Sequence, residues 1–464
     1  MVISAIADGV VRSADRLGDL VTGRAFEPVL RLGVTGLARA GKTVFITSLI
    51  ANLIDRGRMP GLAAAQEGRI VAAYLQPQPD DTVPRFDYES HIAALTGPEP
   101  HWPESTRTIS ELRLSLKVRP NGLLAGLQGP RTLHLDIVDY PGEWLLDLAL
   151  MEKSYADWSA LTLQKLASRP EAAEYFALAQ AEDADAKLAE PRAQALAATF
   201  TAYLQAARAA GWSDLAPGRF LLPGELAGSP VLTFAPLPPS KAPRGSLARE
   251  MERRFEAYKA QVVQPFFRDH FARIDRQVVL VDVLGTLQRG PAAVADMRAT
   301  LAETLGAFRP GRAAFLTRLL GGHRVSKILF AATKADHLHY TQHTRLTQLM
   351  EALVKQAAER ARFAGAETAA MAIAALRATT EEEREHNGTK LQMVRGRLLK
   401  DGRQAAYYPG ELPADPSHIL AGDSTLEGFQ SMAFAPAPMT LRPGDGPPHI
   451  RLDRAAQFLI GDRL

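Results

Sequence analysis

A phosphate-binding pattern lies near the amino terminus of the 464-residue chain. Gly36-Leu-Ala-Arg-Ala-Gly41-Lys42-Thr43 fits G-x-x-x-x-G-K-T between a β-prone run and an apolar helical pattern. Glycines let successive backbone N–H groups turn towards phosphate oxygens, and the helix amino terminus adds the positive end of its dipole. Lys42 can reach the β- and γ-phosphates, and the Thr43 hydroxyl can ligate Mg²⁺. The residues expected to bind the phosphates are Gly36, Ala38, Arg39, Ala40, Gly41, Lys42, Thr43 and Val44.

An acidic residue ends the second of two predicted strands further along the chain. Residues 111–118 and 132–139 alternate apolar and polar side chains around a turn-rich segment, which predicts a β-hairpin. The second strand ends in Asp139-Tyr-Pro-Gly142, where the carboxylate can hold Mg²⁺ and the Gly142 N–H can contact a γ-phosphate. Asp136 is the rival metal ligand, although it lies inside the predicted strand.

Two threonines precede this hairpin in the segment 102–108, WPESTRT. Folds of the GTPase type use a threonine on a mobile loop to complete the Mg²⁺ shell when a γ-phosphate is present. Thr106 and Thr108 both qualify, and Thr106 is preferred because Thr108 can begin the strand. The competing interpretation is that both are solvated loop hydroxyls.

A third motif predicts that the base is guanine. The buried-strand pattern at 324–332 ends in Thr333-Lys334-Ala335-Asp336, which fits [NT]-K-x-D with Thr333 in place of the more usual Asn. An Asp carboxylate accepts hydrogen bonds from guanine N1–H and the 2-amino group, a donor pair that adenine lacks. A helix-capping role for Asp336 is the alternative. After a further strand pattern at 369–379, the backbone N–H groups expected to face the guanine O6 belong to Leu376, Arg377 and Ala378.

The motifs stand in the chain order of the Ras-like GTPase superfamily. Their surroundings, TGLARAGKT, WPEST, DIVDYPGEWLLDL, ATKADH and the terminal HIRLDRAAQFLIGDRL, closely resemble the YcjX-like family of bacterial P-loop NTPases over residues 30–464. The resemblance implies a cytoplasmic protein with a Ras-like core and a helical insert that binds GTP or GDP, and a link to bacterial stress or envelope stress. An ATPase, or a nucleotide-binding scaffold with negligible turnover, is the alternative function.

One departure from the Ras pattern bears on hydrolysis. Ras-like enzymes place a Gln after the DxxG motif to orient the attacking water, whereas this chain has Glu143. A carboxylate adds negative charge beside the γ-phosphate, so we expect slow, Mg²⁺-dependent GTP hydrolysis. The expected catalytic residues are Lys42, Thr106 and Glu143, and the expected metal ligands are Thr43, Thr106 and Asp139. Arg39 either stabilises charge in cis or is a solvated loop residue.

Composition limits the remaining function classes. The chain has 46% hydrophobic and 23% charged residues, as a globular protein does, and it has no cysteine, which excludes disulfides and cysteine-ligated metals. A net charge of +3 is weak for a nucleic-acid-binding protein. No apolar run reaches the length of a membrane-spanning helix, so we expect a cytoplasmic protein. Association with the inner membrane through a protein partner is left open.

We expect an α/β fold: a Ras-like P-loop NTPase sheet flanked by helices, with a large helical insertion. The expected division is an amphipathic helix at 1–28, the first part of the G domain at 29–147, a mainly helical insert at 148–275, and the second part of the G domain at 276–464. This last part is expected to contain a hairpin with its turn at Asp401-Gly402 and a closing helix at 451–460. The first helix is expected to dock on the protein rather than on a membrane. The insert is the expected surface for an unidentified partner or activator, and a purely stabilising role is its alternative. We expect three histidines to be solvated loop side chains rather than metal ligands: His337, His339 and His343.

Overall fold

The computed structural model describes residues 27–36, 39–104, 108–121, 129–306, 325–421 and 429–464. The amphipathic helix expected within 1–28 lies outside the described residues, apart from its last two positions, and so do Ala38 and Thr106.

Within the described residues, seven strands form one sheet in the order β2-β3-β4-β1-β5-β6-β7. Strands β4, β1, β5, β6 and β7 run parallel, whereas β3 is antiparallel to both β2 and β4. The predicted hairpin is thereby confirmed, and so is the expected α/β class. The strands are β1 Val29–Gly36, β2 Ile70–Gln76, β3 Ser110–Val118, β4 Arg131–Asp139, β5 Arg276–Val281, β6 Lys327–Ala332 and β7 Glu367–Ala372.

A smaller antiparallel sheet follows, in the order β10-β9-β8. Its strands are β8 Thr379–His386, β9 Thr389–Arg397 and β10 Gln404–Tyr407. The hairpin expected around Asp401-Gly402 is present between β9 and β10, with Gly402 at a φ of 71°. The single strand predicted over 369–379 is wrong, because β7 ends at Ala372 and the chain then pairs with the carboxyl-terminal segment at 450 before β8 begins.

Helices cover both faces of the large sheet. The first of them, which follows β1, packs in the same apolar cluster as the last one. The closing helix expected at 451–460 is therefore present and lies on the core. The helices are α1 Lys42–Ile54, α2 Ala63–Gln66, α3 Tyr88–Thr96, α4 Glu143–Leu146, α5 Tyr155–Leu166, α6 Ala173–Gln180, α7 Glu190–Ala210, α8 Gly218–Leu221, α9 Leu247–Tyr258, α10 Gln264–Asp269, α11 Val283–Gln288, α12 Pro291–Gly306, α13 His343–Phe363, α14 Ser417–Ala421 and α15 Leu452–Ile460.

Residues 148–275 are all described and contain helices and one isolated bridge, between Lys187 and Ser246, but no extended strand. We call this segment the insert. Aromatic rings fill its interior: Trp158 stacks on Phe255 with ring centroids 5.0 Å apart, and Phe220 meets Phe234 edge-on at 4.9 Å. The same apolar cluster includes Tyr140 and Trp144, so the core of the insert continues under the segment that follows β4.

No helix in the described part of the chain is long and apolar enough to cross a membrane.

Candidate functional site

The loop after β1 leaves the sheet at the carboxyl edge of its parallel strands, between β4 and β5. Open α/β sheets bind ligands at this edge. Gly41 caps helix α1 at a φ of 79°, and the Phe45 N–H donates to its carbonyl at 2.9 Å, so the helix begins directly at Lys42. At Gly36 a Cβ atom would lie 3.0 Å from the Leu280 carbonyl oxygen. The backbone thus turns tightly and directs a helix amino terminus towards the loop, which suits an anion.

Lys42 forms an ion pair with Asp139 at this edge. Its Nζ lies 2.9 Å from the Asp139 Oδ1, and the side chains are only 11% and 1% exposed. The pair forms because Asp139 stands opposite Val34 in the β1–β4 register, one strand away from the loop. Thr43, the next residue of α1, is buried as well. The structure therefore brings together the predicted phosphate-binding lysine and two of the predicted metal ligands.

Asp136, the rival metal ligand, has other partners. It stands opposite Arg113 in the β3–β4 register and accepts hydrogen bonds from its Nε and Nη2 at 2.6 and 2.8 Å. The Arg31 guanidinium lies 3.8 Å away on the other side. The Asp136 side chain is fully buried within this cluster, which favours Asp139 as the metal ligand.

The TKAD loop follows β6 at the same edge. Thr333 donates from its N–H and its hydroxyl to the Val281 carbonyl, at 3.0 and 3.3 Å, so Thr still braces the loop where Asn is more usual. The buried Asp336 carboxylate accepts a hydrogen bond from the Ala378 N–H at 2.9 Å. The Thr379 hydroxyl donates to the Asp336 carbonyl. The TKAD motif and the segment predicted to face the guanine O6 thus lie in contact, as their order along the chain predicts.

The expected guanine O6 donors differ in their present contacts. The Ala378 N–H donates to Asp336, and the Arg377 N–H donates to the Pro448 carbonyl at 2.8 Å. Leu376 is buried beside them. A contact from Arg377 or Ala378 to a base would therefore require exchange of an internal hydrogen bond.

Sequence reasoning missed Asp282, which follows β5. Its Oδ2 lies 2.5 Å from the Nζ of Lys334, and its Oδ1 accepts a hydrogen bond from the Gly285 N–H at 3.0 Å. Because β5 lies between β1 and β6, this carboxylate stands between the side of the edge predicted to bind phosphate and the side predicted to bind the base. An acidic residue directly after an apolar strand was the available signal.

Glu143 lies at the boundary with the insert. Its Oε1 is 2.7 Å from Nη2 of Arg208, which stands in the last turn of α7. Both residues line a cleft together with Arg39, Asp282 and Arg289. Arg39 is exposed at a φ of 64°. Burial lowers the pKa of Arg289. The carboxylate of Asp282 opposes this shift, and the positive charge of Arg39 adds to it.

The prediction that three histidines are solvated is wrong. His337, His339 and His343 are each at most 8% exposed, so the residues after β6 turn inwards. The Nε2 of His343 lies 2.8 Å from the Ala335 carbonyl oxygen, and the His337 ring packs edge-on against Phe434. Burial lowers the pKa of His337 and of His343, so both rings are neutral supports of the TKAD loop at neutral pH.

Across the described residues, no three or more His, Asp or Glu side chains are grouped so that they could hold a metal ion. Thr108 is exposed and lies two positions before the first residue of β3, so it does not begin the strand, whereas Thr106 lies outside the described residues. The choice between the two threonines therefore stays open.

Known proteins are similar to this sequence over nearly its whole length. The model of the YcjX-like family, DUF463, matches residues 30–464. The Ras-like GTPase YcjX of Escherichia coli (strain K12) is 39% identical over 469 residues, which cover 98% of this chain and 99% of that protein. The Ras-like GTPase YcjX of Shewanella oneidensis (strain MR-1) is 38% identical over 463 residues, 94% of each chain. The resemblance expected from the motifs is confirmed, and the sheet agrees with a Ras-like P-loop fold. The chain belongs to the YcjX-like family.

Proposed function

We propose that this protein binds GTP and GDP, hydrolyses GTP slowly with Mg²⁺, and acts as a nucleotide-controlled switch. The observation that carries the proposal is the meeting of two motifs at one sheet edge: the Lys42–Asp139 pair after β1 and β4, and the TKAD loop after β6. Two relatives that match nearly the whole chain bear the name Ras-like GTPase, which supports the same reaction.

The phosphate end of the site has the donors that a triphosphate needs. Backbone N–H groups of the loop and the α1 amino terminus bind anionic oxygens, and Lys42 adds a mobile positive charge. The Thr43 hydroxyl and the Asp139 carboxylate are hard oxygen ligands, which is the donor chemistry that Mg²⁺ prefers. Mg²⁺, when bound, supplies positive charge that neutralises phosphate oxygens. With two protein ligands, the site fits a metal ion that keeps waters and phosphate oxygens in its shell.

The base end selects guanine through Asp336. Its carboxylate is buried, so a base that cannot donate two hydrogen bonds to it would leave a desolvated charge without compensation. The hydrogen bond from Ala378 and the brace from Thr333 keep this carboxylate in one orientation. The Asp282 carboxylate holds Lys334, whose stem would lie along the face of the base.

Hydrolysis requires a water oxygen to bond to the γ-phosphorus while the bond to the β–γ bridging oxygen breaks. A water proton passes to the released phosphate, and GDP leaves with the bridging oxygen. Glu143 stands where Ras-like enzymes have Gln, and it accepts from water as Gln does but brings negative charge. The proposed slow rate follows from that charge beside the γ-phosphate whenever no cation is paired with the carboxylate.

Competition binding tests the base preference. Wild-type protein should bind GTP and GDP, with ATP and XTP weaker by at least about thirtyfold, since an unpaired buried carboxylate costs about 2 kcal/mol or more. Asp336→Asn should lose GTP affinity by a similar factor and gain affinity for XTP, whose 2-oxo group matches the Asn amide. The exposed Asp81→Asn serves as the matched control and should bind like wild type. Unchanged guanine preference in Asp336→Asn would show that Asp336 does not read the base, and equal binding of ATP would favour an ATPase.

A partner is part of the proposed switch. The γ-phosphate is expected to contact the Gly142 N–H, and the residues that follow Gly142 pack on the insert. Exchange of GTP for GDP would therefore change the contacts between this segment and the insert. Single-turnover GTP hydrolysis with and without membrane extract tests for an activator: acceleration supports one, and an unchanged rate points to a self-contained enzyme. The cytoplasmic location and the role in stress response stay predictions that follow from the family resemblance.

A further inference from the structure

The segment after the DxxG motif is held by the insert through several independent contacts. Arg208 pairs with Glu143, as described above. The Trp144 indole N–H donates to the Leu222 carbonyl at 3.3 Å, and the Arg219 guanidinium lies 3.2 Å from the centre of the Trp144 ring. A change in the position of this segment would therefore break its contacts with the insert.

The position of Arg208 is itself well defined. Helix α7 ends at Gly211, which adopts a φ of 93°, so Arg208 stands in the last turn, where a cation is favourable for the helix dipole. The Arg289 side chain packs against Gly211: a Cβ atom there would lie 2.3 Å from the Arg289 Nε. The end of α7 is thus fixed against the G domain, with its arginine directed at Glu143.

The charge of Glu143 has a consequence for hydrolysis. A lone carboxylate beside a γ-phosphate repels it, whereas a carboxylate paired with a guanidinium carries no net charge and still has lone pairs for a water hydrogen. The ion pair can therefore accept a hydrogen bond from the attacking water without net charge, as the neutral Gln side chain does in Ras-like enzymes. Only 8% of the Glu143 side chain is exposed, so solvent screens this charge weakly and its neutralisation depends on Arg208.

We infer that Arg208 is a positioning residue for GTP hydrolysis: it keeps Glu143 in place as a charge-neutral acceptor for the attacking water. Hydrolysis thereby depends on the position of the insert, because the arginine belongs to α7 and the carboxylate to the G domain. This inference rests on the proposed GTPase function.

The experiment is a double-mutant cycle in the full chain, with the single-turnover rate of GTP hydrolysis and the Kd for GTP measured separately. Arg208→Ala should lower the rate about tenfold or more and leave the Kd within about twofold, since the arginine acts on the reaction rather than on binding. In a Glu143→Gln background, where no charge needs neutralising, Arg208→Ala should change the rate by less than about twofold. Arg208→Lys should recover most of the rate by restoring the charge.

Arg192→Ala is the matched control, because Arg192 lies on the same helix, is 61% exposed and likewise pairs with a buried carboxylate, that of Glu182. It should match wild type. The inference fails if Arg208→Ala hydrolyses GTP like Arg192→Ala, if it is faster than wild type, if rate and affinity fall together, or if the two substitutions act additively. If wild-type protein neither binds nor hydrolyses GTP, the proposed function fails instead, so the two failures are distinguishable.

Discussion

At the residue scale, Asp147 differs from the other carboxylates of the segment that follows Gly142. It is 2% exposed, and its two oxygens accept hydrogen bonds from the Tyr258 hydroxyl at 2.6 Å and the Gly218 N–H at 2.7 Å. Burial raises the pKa of Asp147 to about 7, and these two hydrogen bonds only partly oppose that effect. The residue therefore makes the stability of the contact between the insert and the segment that follows β4 depend on pH.

The sign of this dependence follows from linkage. In the unfolded chain the carboxyl ionises near its ordinary pKa of 3.8, whereas in the fold it keeps its proton until about pH 7. Rising pH between these values favours the unfolded state, so this contribution to the free energy of unfolding falls by a few kcal/mol across the window and is level above it. Asp147→Asn cannot ionise and should lack this slope.

Urea denaturation at pH 5 and at pH 8 measures the effect. The free energy of unfolding of wild type should fall more between the two pH values than that of Asp147→Asn. The exposed Asp81→Asn should follow wild type. Equal pH dependence in wild type and Asp147→Asn would show that Asp147 is ionised in the fold at pH 5.

At the element scale, the contact between α4 and α8 depends on a glycine. A Cβ atom on Gly218 would lie 2.0 Å from the Glu143 carbonyl oxygen, closer than atoms can approach. Gly218→Ala should therefore lower the free energy of unfolding by about 2 kcal/mol or more, because two backbones must separate. At Gly129 a Cβ atom would meet no atom of the described residues within 4 Å, so Gly129→Ala should stay within about 0.5 kcal/mol of wild type in urea titrations. Similar losses in both variants would contradict the close approach.

The elements differ in how far the sequence predicts them. Alternation predicts the β3–β4 hairpin, and apolar runs predict β1, β5 and β6, because each has a clear buried face. Strand β8 is not predictable from apolar alternation, because its sequence TTEEEREH contains four glutamates and is largely exposed. It is a strand because β9 pairs with it along its whole length. Strand β2 lies at the edge of the large sheet, where β3 is its only partner strand among the described residues.

At the scale of the whole molecule, the candidate site depends on contacts between distant segments. The motif residues Lys42, Asp139 and Asp336 are identifiable from their order along the chain, because parallel strands bring their carboxyl ends to one edge. The pairing of Glu143 with Arg208 is not identifiable in this way, since it depends on how the whole insert folds. The burial of His337 likewise depends on a distant segment, because its ring lies against Ser431 and Phe434.

The most direct test of the central claim is single-turnover hydrolysis of γ-labelled GTP and ATP by the full chain with Mg²⁺, with Lys42→Ala measured beside wild type. Lys42→Ala removes the cation expected at the β- and γ-phosphates, and the exposed Lys117→Ala on β3 is its matched control. The account predicts slow release of phosphate from GTP, little from ATP, none above background in Lys42→Ala, and a wild-type rate in Lys117→Ala. Hydrolysis of ATP at the rate of GTP, or full activity in Lys42→Ala, would contradict it.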